Sequence, residues 1–239
     1  MTAILLHERS TPSVGHVLAR YLARARAMRF HYLLASLILL LAVYPYVSAG
    51  STGPAALRAL TSFVLITGVY AVSDRRRQIA IAALLAVPAF GLGWLHILTG
   101  LSALGGAESI FEVLFYAFTA IICLKRVISA RRVTSDTISG AVSVYLLMGL
   151  TWATAYSLVE SITPGSFTTG HPDSAFTFPA FIYYSFVTLA TLGYGDITPL
   201  TDQARSLAVL ETVSGTLYIA VLIARLVAAA GWPTESDEE

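Results

Sequence analysis

The sequence predicts an all-α membrane protein with six transmembrane helices and one shorter apolar helix that enters the membrane and turns back. Three observations carry this. Hydrophobic residues make up 56% of the 239 positions and charged residues only 12%, with a mean hydropathy of +0.72, more apolar than a water-soluble core absorbs. Six apolar runs approach the roughly 20 residues that a helix needs to cross about 30 Å of hydrocarbon. The basic residues cluster between alternate runs, as expected when one face of the membrane collects them.

The runs are Phe30 to Val47, Ala55 to Val72, Ile79 to Ile97, Ile110 to Leu124, Ile138 to Val159 and Ala204 to Ala229. A shorter apolar stretch extends from Pro179 to Ala190. Arg9, Arg20, Arg24, Arg26 and Arg29 precede the first span, Arg75 to Arg77 follow the second, and Lys125, Arg126, Arg131 and Arg132 follow the fourth. These twelve of the fifteen basic residues fall on one side, which predicts that both termini are cytoplasmic. Arg58 and Arg205 lie near outer helix ends, where long side chains snorkel to the interface, and Arg225 lies deep in the last span.

Before the first span, Val14, Val17, Leu18, Tyr21, Leu22 and Ala25 repeat at helical spacing with Arg20 and Arg24 opposite. This fits either a helix on the inner membrane surface or a partly ordered basic tail. About thirty residues precede the first apolar run, unlike a secretory signal, so that run is expected to be retained.

Nothing on a cytoplasmic segment points to an enzyme. Cys123 is the single cysteine, and His7, His16, His31, His96 and His171 lack metal-ligand spacing. No phosphate loop, nucleophile elbow or carboxylate pair is present in the sequence, so no cofactor is expected. Nucleic acid has no basic surface domain to bind. The segment after Ala229 ends in an acidic cluster and offers no small-molecule ligand domain.

Residues 191–196 read Thr-Leu-Gly-Tyr-Gly-Asp. A dehydrated cation needs a ladder of backbone carbonyls aimed at one axis, and Gly193 and Gly195 can take the positive φ angles that this requires. The stretch resembles the selectivity filter of the potassium channel family. From Ile138 to about Ala229 the order of helix, short helix, filter and helix is similar to that family's pore unit. Thr177 and Pro179 form a plausible start for the pore helix, with Thr as cap and Pro in the first turn.

The resemblance implies potassium ions held by Thr191, Leu192, Gly193, Tyr194 and Gly195, with Asp196 as a carboxylate at the outer mouth. It also implies that Tyr183 and Tyr184 flank Tyr194 and bond the aspartate. One chain carries one filter, so the expected assembly is a homotetramer around a central axis. Gly215, on the inner helix, reads equally as a hinge or as a close-packing position. Thr212, Thr216, Ile219 and Ile223 share its face and are expected to line the cavity.

Glu211 is ionisable within an apolar helix, so it should have a partner. The expected partners are the pore-helix backbone, Thr188 or a nearby amide, and its role is either gating or a simple polar clamp. The predicted organisation is a basic amphipathic N-terminus over 1–29, a four-helix voltage-sensor-like domain over 30–124, a cytoplasmic linker over 125–137, a pore domain over 138–229 and an acidic tail over 230–239. The fourth span lacks the charge ladder of a voltage sensor, Glu112 being its one ionisable residue. The expected function is therefore a potassium-selective channel with weak or absent voltage dependence. Its alternatives are a weakly selective cation channel and a non-conducting membrane subunit. The basic inner residues suggest anionic-lipid contacts, and the setting is a plasma membrane, in particular a bacterial inner membrane.

Overall fold

The computed structural model describes residues 28–47, 53–130, 133–169 and 176–230. The proposed N-terminal helix, His171 and the acidic end lie outside the described residues. The fold is all-α in its long elements: α1 (Arg29–Val47), α2 (Gly53–Ala71), α3 (Arg76–Thr99), α4 (Ser102–Ser129), α5 (Ser135–Ile162), the short α6 (Phe178–Leu189) and α7 (Asp202–Ala230). Among the described residues six helices are long and apolar enough to cross a membrane, and α6 is the shorter apolar helix anticipated from the sequence.

Helices α1 to α4 pack in sequence, and α1 and α4 both lean on α5. Leu33, Leu37 and Leu40 of α1 are fully buried at helical spacing, as are Ala82 and Ala89 of α3. The opposite faces stay apolar and exposed, as at Ile38, Leu39, Leu84 and Val87. A helix that is hydrophobic on all sides suits lipid rather than water.

Two boundaries differ from the sequence reading. The fourth run is longer in both directions than Ile110 to Leu124, because α4 takes in Glu108 at its outer end and Lys125 and Arg126 at its inner end. Both ends find polar partners that hydropathy does not register. α4 ends at Ser129 and α5 begins at Ser135. Thr134 caps α5 by accepting the Thr137 amide at 3.2 Å.

Arg58 is also placed differently. It does not snorkel to the interface: its guanidinium is largely buried between α2 and α4, paired with Glu108 and, at 2.9 Å, with Glu112. Toward the other end of α4, Arg29 and Arg126 share Asp74, while Arg126 also donates to the Ala71 carbonyl. His31 spans Asp136 and Ser135 at 3.2 and 3.1 Å, tying α1 to the start of α5.

Two short strands pair beside the helices. Phe167–Thr168 (β1) pairs antiparallel with Thr198–Pro199 (β2), matching Phe167 with Pro199 and Thr168 with Thr198. Glu160 accepts the Gly165 and Phe167 amides at 2.8 and 3.2 Å and so fixes the approach to β1. This ribbon anchors the segment that leaves the filter sequence.

Candidate ion pore

The site is built from α6, the residues that follow it, and the two helices that hold them. Pro179 sits in the first turn of α6, where its missing N–H costs nothing. Thr177 does not cap through its hydroxyl. Its backbone carbonyl instead accepts the Ala180 and Phe181 amides at 2.9 and 3.3 Å. At the other end, the Thr191 amide donates to the Thr188 carbonyl at 2.9 Å, and the Leu192 amide to the Val187 carbonyl at 2.9 Å. These bonds fold the chain back under the negative end of the helix dipole.

Residues 191–195 then alternate in handedness. Thr191, Gly193 and Gly195 have φ of 60°, 55° and 79°. Left-handed backbone at every second residue turns successive carbonyls toward the same side, which a uniform strand cannot do. The two glycines adopt it without a Cβ penalty, whereas Thr191 is β-branched and strained there. The sequence reading placed this geometry at the glycines and did not extend it to the threonine. Leu192 and Tyr194 are 57% and 66% exposed within one chain, so this segment lacks a facing wall of its own.

Tyr183 donates to Asp196 Oδ2 at 2.7 Å, and Asp196 Oδ1 accepts the Ile197 amide at 3.1 Å. That hydrogen bond, with desolvation and the negative charge of Asp196, holds the Tyr183 hydroxyl above its ordinary pKa. Tyr184 departs from expectation. It is buried on the far side of α6, edge-on to Tyr156 at 5.0 Å and to Phe167 at 5.5 Å, and it bonds neither Asp196 nor the Tyr194 ring. Consecutive helix positions lie about 100° apart, so both tyrosines cannot face the filter. Among the described residues Tyr194 has no ring-stacking partner in its own chain.

Glu211 is fully buried on α7. Its partners are side chains rather than the pore-helix backbone or Thr188: Tyr156 of α5 donates to Oε2 at 2.5 Å and Ser185 of α6 to Oε1 at 2.5 Å. Ser185 Oγ also lies 2.7 Å from the Gly149 carbonyl of α5. One carboxyl therefore ties three helices together behind the pore helix. Tyr156 and Ser185 carry no sequence motif, and only the buried acid signals that such partners exist.

A Cβ built on Gly215 would lie 2.7 Å from the Leu189 carbonyl and from its Cδ1. Gly215 is thus a close-approach position beneath the end of α6, on a helix that runs unbroken from Asp202 to Ala230. Thr212 and Thr216 direct their hydroxyls to the Ala208 and Thr212 carbonyls at 2.9 Å. Ile219 and Ile223 are 42% and 56% exposed on that face. Near the outer mouth, Arg205 approaches Asp202 at 3.9 Å and donates to the Pro199 carbonyl at 3.3 Å, while Asp196 is held by Tyr183.

Among the described residues, six helices long and apolar enough to cross a membrane accompany the short α6 and the segment of alternating handedness that follows it. Residues 142–230 match the family model described as an ion channel. A stretch of 94 residues, 38% of the chain, is 34% identical to the inward rectifier potassium channel Kirbac3.1 of Paramagnetospirillum magnetotacticum. It spans 28% of that relative's length. No solved structure matches. The family match and this relative both support the resemblance to potassium channels carried by residues 191–196.

Proposed function

We propose that the chain forms a potassium-selective channel, a homotetramer that passes K+ down its electrochemical gradient. The observation that carries this is the alternation of left-handed backbone at Thr191, Gly193 and Gly195. Four such segments around one axis supply rings of carbonyls that replace the hydration shell of a cation. Potassium is held by Thr191, Leu192, Gly193 and Tyr194, with Gly195 completing the ladder and no other cofactor required. The exposure of Leu192 and Tyr194 in a single chain supports neighbouring copies as the missing wall.

In this reading Asp196 and Tyr183 brace the outer end of the filter, and Thr188, Tyr184 and Glu211 hold the pore helix behind it. Thr212, Thr216, Ile219 and Ile223 line the cavity below, where Gly215 lets α7 pass close to the pore helix. Helices α1 to α4 surround the pore with weak or no voltage dependence. Both termini face the cytoplasm, and the inner basic residues meet anionic lipid in a plasma membrane of bacterial type.

Reconstitution in liposomes with sodium and potassium gradients tests the function. A reversal potential that follows the K+ gradient is expected. One that follows the summed cation gradient would favour a weakly selective channel, and absence of flux from assembled protein would favour a non-conducting subunit.

A further inference from the structure

Where α2 and α4 begin and α3 and α5 end, the molecule holds a cavity of about 410 Å³ that reaches Phe178, the first residue of α6. Its ionisable lining residues, among those described, are Arg58, His96, Glu108 and Glu112. Arg58 gives one amino group to each acid, Nη2 to Glu108 Oε1 and Nη1 to Glu112 Oε1, the latter at 2.9 Å. The other Glu108 oxygen faces His96 Nδ1 at 3.7 Å, too far for a hydrogen bond. One base against two acids leaves a negative charge over whenever His96 is neutral, and both acid side chains are 6% exposed or less. A charge held so deeply is costly without a counterion.

A second observation is independent of the charge. Tyr116 follows Glu108 and Glu112 at four-residue spacing, so the three share one face of α4. Its hydroxyl is buried with no hydrogen-bond partner among the described residues, within electrostatic range of Glu112 and Arg58. Glycines give the cluster its seat: a Cβ on Gly93 would collide with the Arg58 guanidinium, and one on Gly105 with the His96 ring. Opposite these acceptors, Leu57, Ile97 and Phe178 supply apolar wall. A hard metal ion needs oxygen on most sides, and the described residues include no group of three acids or histidines that could hold one. An ammonium on a carbon skeleton matches both the acceptors and the wall.

We propose that this cavity binds a primary alkyl- or arylalkylammonium ion, its ammonium donating to Glu108, Glu112 and the Tyr116 hydroxyl and its carbon skeleton lying on Leu57, Ile97 and Phe178. Three donors on one nitrogen meet three acceptors on one helix face. The bound cation neutralises the surplus charge and supplies the partner that the Tyr116 hydroxyl lacks. It also joins α2 and α4 to the first turn of α6, so occupancy acts on the link between the four-helix domain and the short helix. Every contact lies within one chain, and none depends on the pore reading.

The test is isothermal titration calorimetry of the full chain in phosphatidylcholine nanodiscs, with 2-phenylethylammonium chloride as probe and 2-phenylethanol as its neutral counterpart. One amine per chain is expected, with the alcohol weaker by about tenfold or more, the factor carried by one charge-assisted hydrogen bond. Glu112→Gln removes the surplus charge and should weaken the amine by about the same factor. In Tyr116→Phe the hydroxyl has no partner to lose, so the ligand-free chain should melt no lower than the wild type while amine affinity falls several-fold. Ser157→Trp, in the cavity wall, should abolish binding, whereas Arg205→Gln should leave it unchanged. Thermal melts of each variant separate loss of ligand from loss of fold. Equal affinity for amine and alcohol, or no amine bound by folded wild type, overturns the proposal. Binding that survives both Tyr116→Phe and Ser157→Trp also overturns it, by placing the amine elsewhere, such as in the ion path. Potassium chloride held as tightly as the amine would assign the charge to an inorganic ion and overturn it too. Binding is read without ion flux, so protein that takes the amine yet fails to conduct counts against the pore reading alone.

Discussion

Glu211 concentrates the energetics of the site in one side chain. Its carboxyl meets two hydroxyls at 2.5 Å with no exposure to solvent, so truncation leaves the Tyr156 hydroxyl unsatisfied at about 1–3 kcal/mol, while Ser185 keeps the Gly149 carbonyl as acceptor. Glu211→Ala is expected to lower the thermal stability of the assembly by about 1–3 kcal/mol on that scale. Glu211→Gln has a different expected outcome. Ser185 carries one hydrogen and faces two acceptors, Glu211 and the Gly149 carbonyl. A glutamine amide donates to Ser185 while its oxygen accepts from Tyr156, freeing the serine hydrogen for Gly149. The variant should therefore stay within about 1 kcal/mol of the wild type. A melting curve as poor as that of alanine would refute this, and currents recorded at several pH values separate a polar clamp from a gating role. At the outer mouth, Tyr183→Phe removes the 2.7 Å bond to Asp196. Faster inactivation with unchanged ion selectivity is expected, and an unaltered time course in patch recordings would disprove it.

At the level of elements, the contact between α6 and α7 depends on the absence of a side chain at Gly215. Gly215→Ala places a methyl against the Leu189 carbonyl, and overpacking of this kind typically costs 1–3 kcal/mol. Helix propensity offsets at most about 1 kcal/mol of it. A net loss of assembly stability is expected, read by heating in detergent, whereas a stabilised variant would favour the hinge reading. This contact marks where the sequence stops being legible. The six long helices and α6 follow from hydropathy and length, and the filter from residue types whose backbone demands are local. The partners of Glu211 lie 55 and 26 positions away, and no periodicity encodes which hydroxyls will meet it. The same holds for Tyr184, whose burial beside Tyr156 and Phe167 depends on how α6 is rotated against α5. Arg58 looks like an interfacial anchor in the sequence, as a lone base near a helix end does, and only the fold brings it the acids of α4.

Across the whole molecule, the charges of the four-helix domain are arranged to hold α4 rather than to drive it. In a strongly voltage-gated subunit, three or four charges move through the field, each worth about 2.3 kcal/mol per 100 mV. Here Glu108 and Glu112 are fastened to Arg58 of α2 at the outer end, and Arg126 is fastened to Asp74 and the Ala71 carbonyl at the inner end. Between Glu112 and Lys125, α4 contains no charged residue. Sliding α4 by one turn would separate Arg58 from both of its buried acids, and breaking a buried pair costs about 3–5 kcal/mol. For the two pairs together this exceeds the roughly 4.6 kcal/mol that two acids gain over 100 mV even if they cross the entire field. The domain should therefore act as a rigid support, with a limiting slope of conductance against voltage below about one elementary charge per subunit. Glu112→Gln should lower stability by leaving Arg58 short of a partner, without shifting that slope. A steep conductance–voltage relation in the wild type, flattened by Glu112→Gln, would instead make these acids the moving charge and reverse the role assigned to α4.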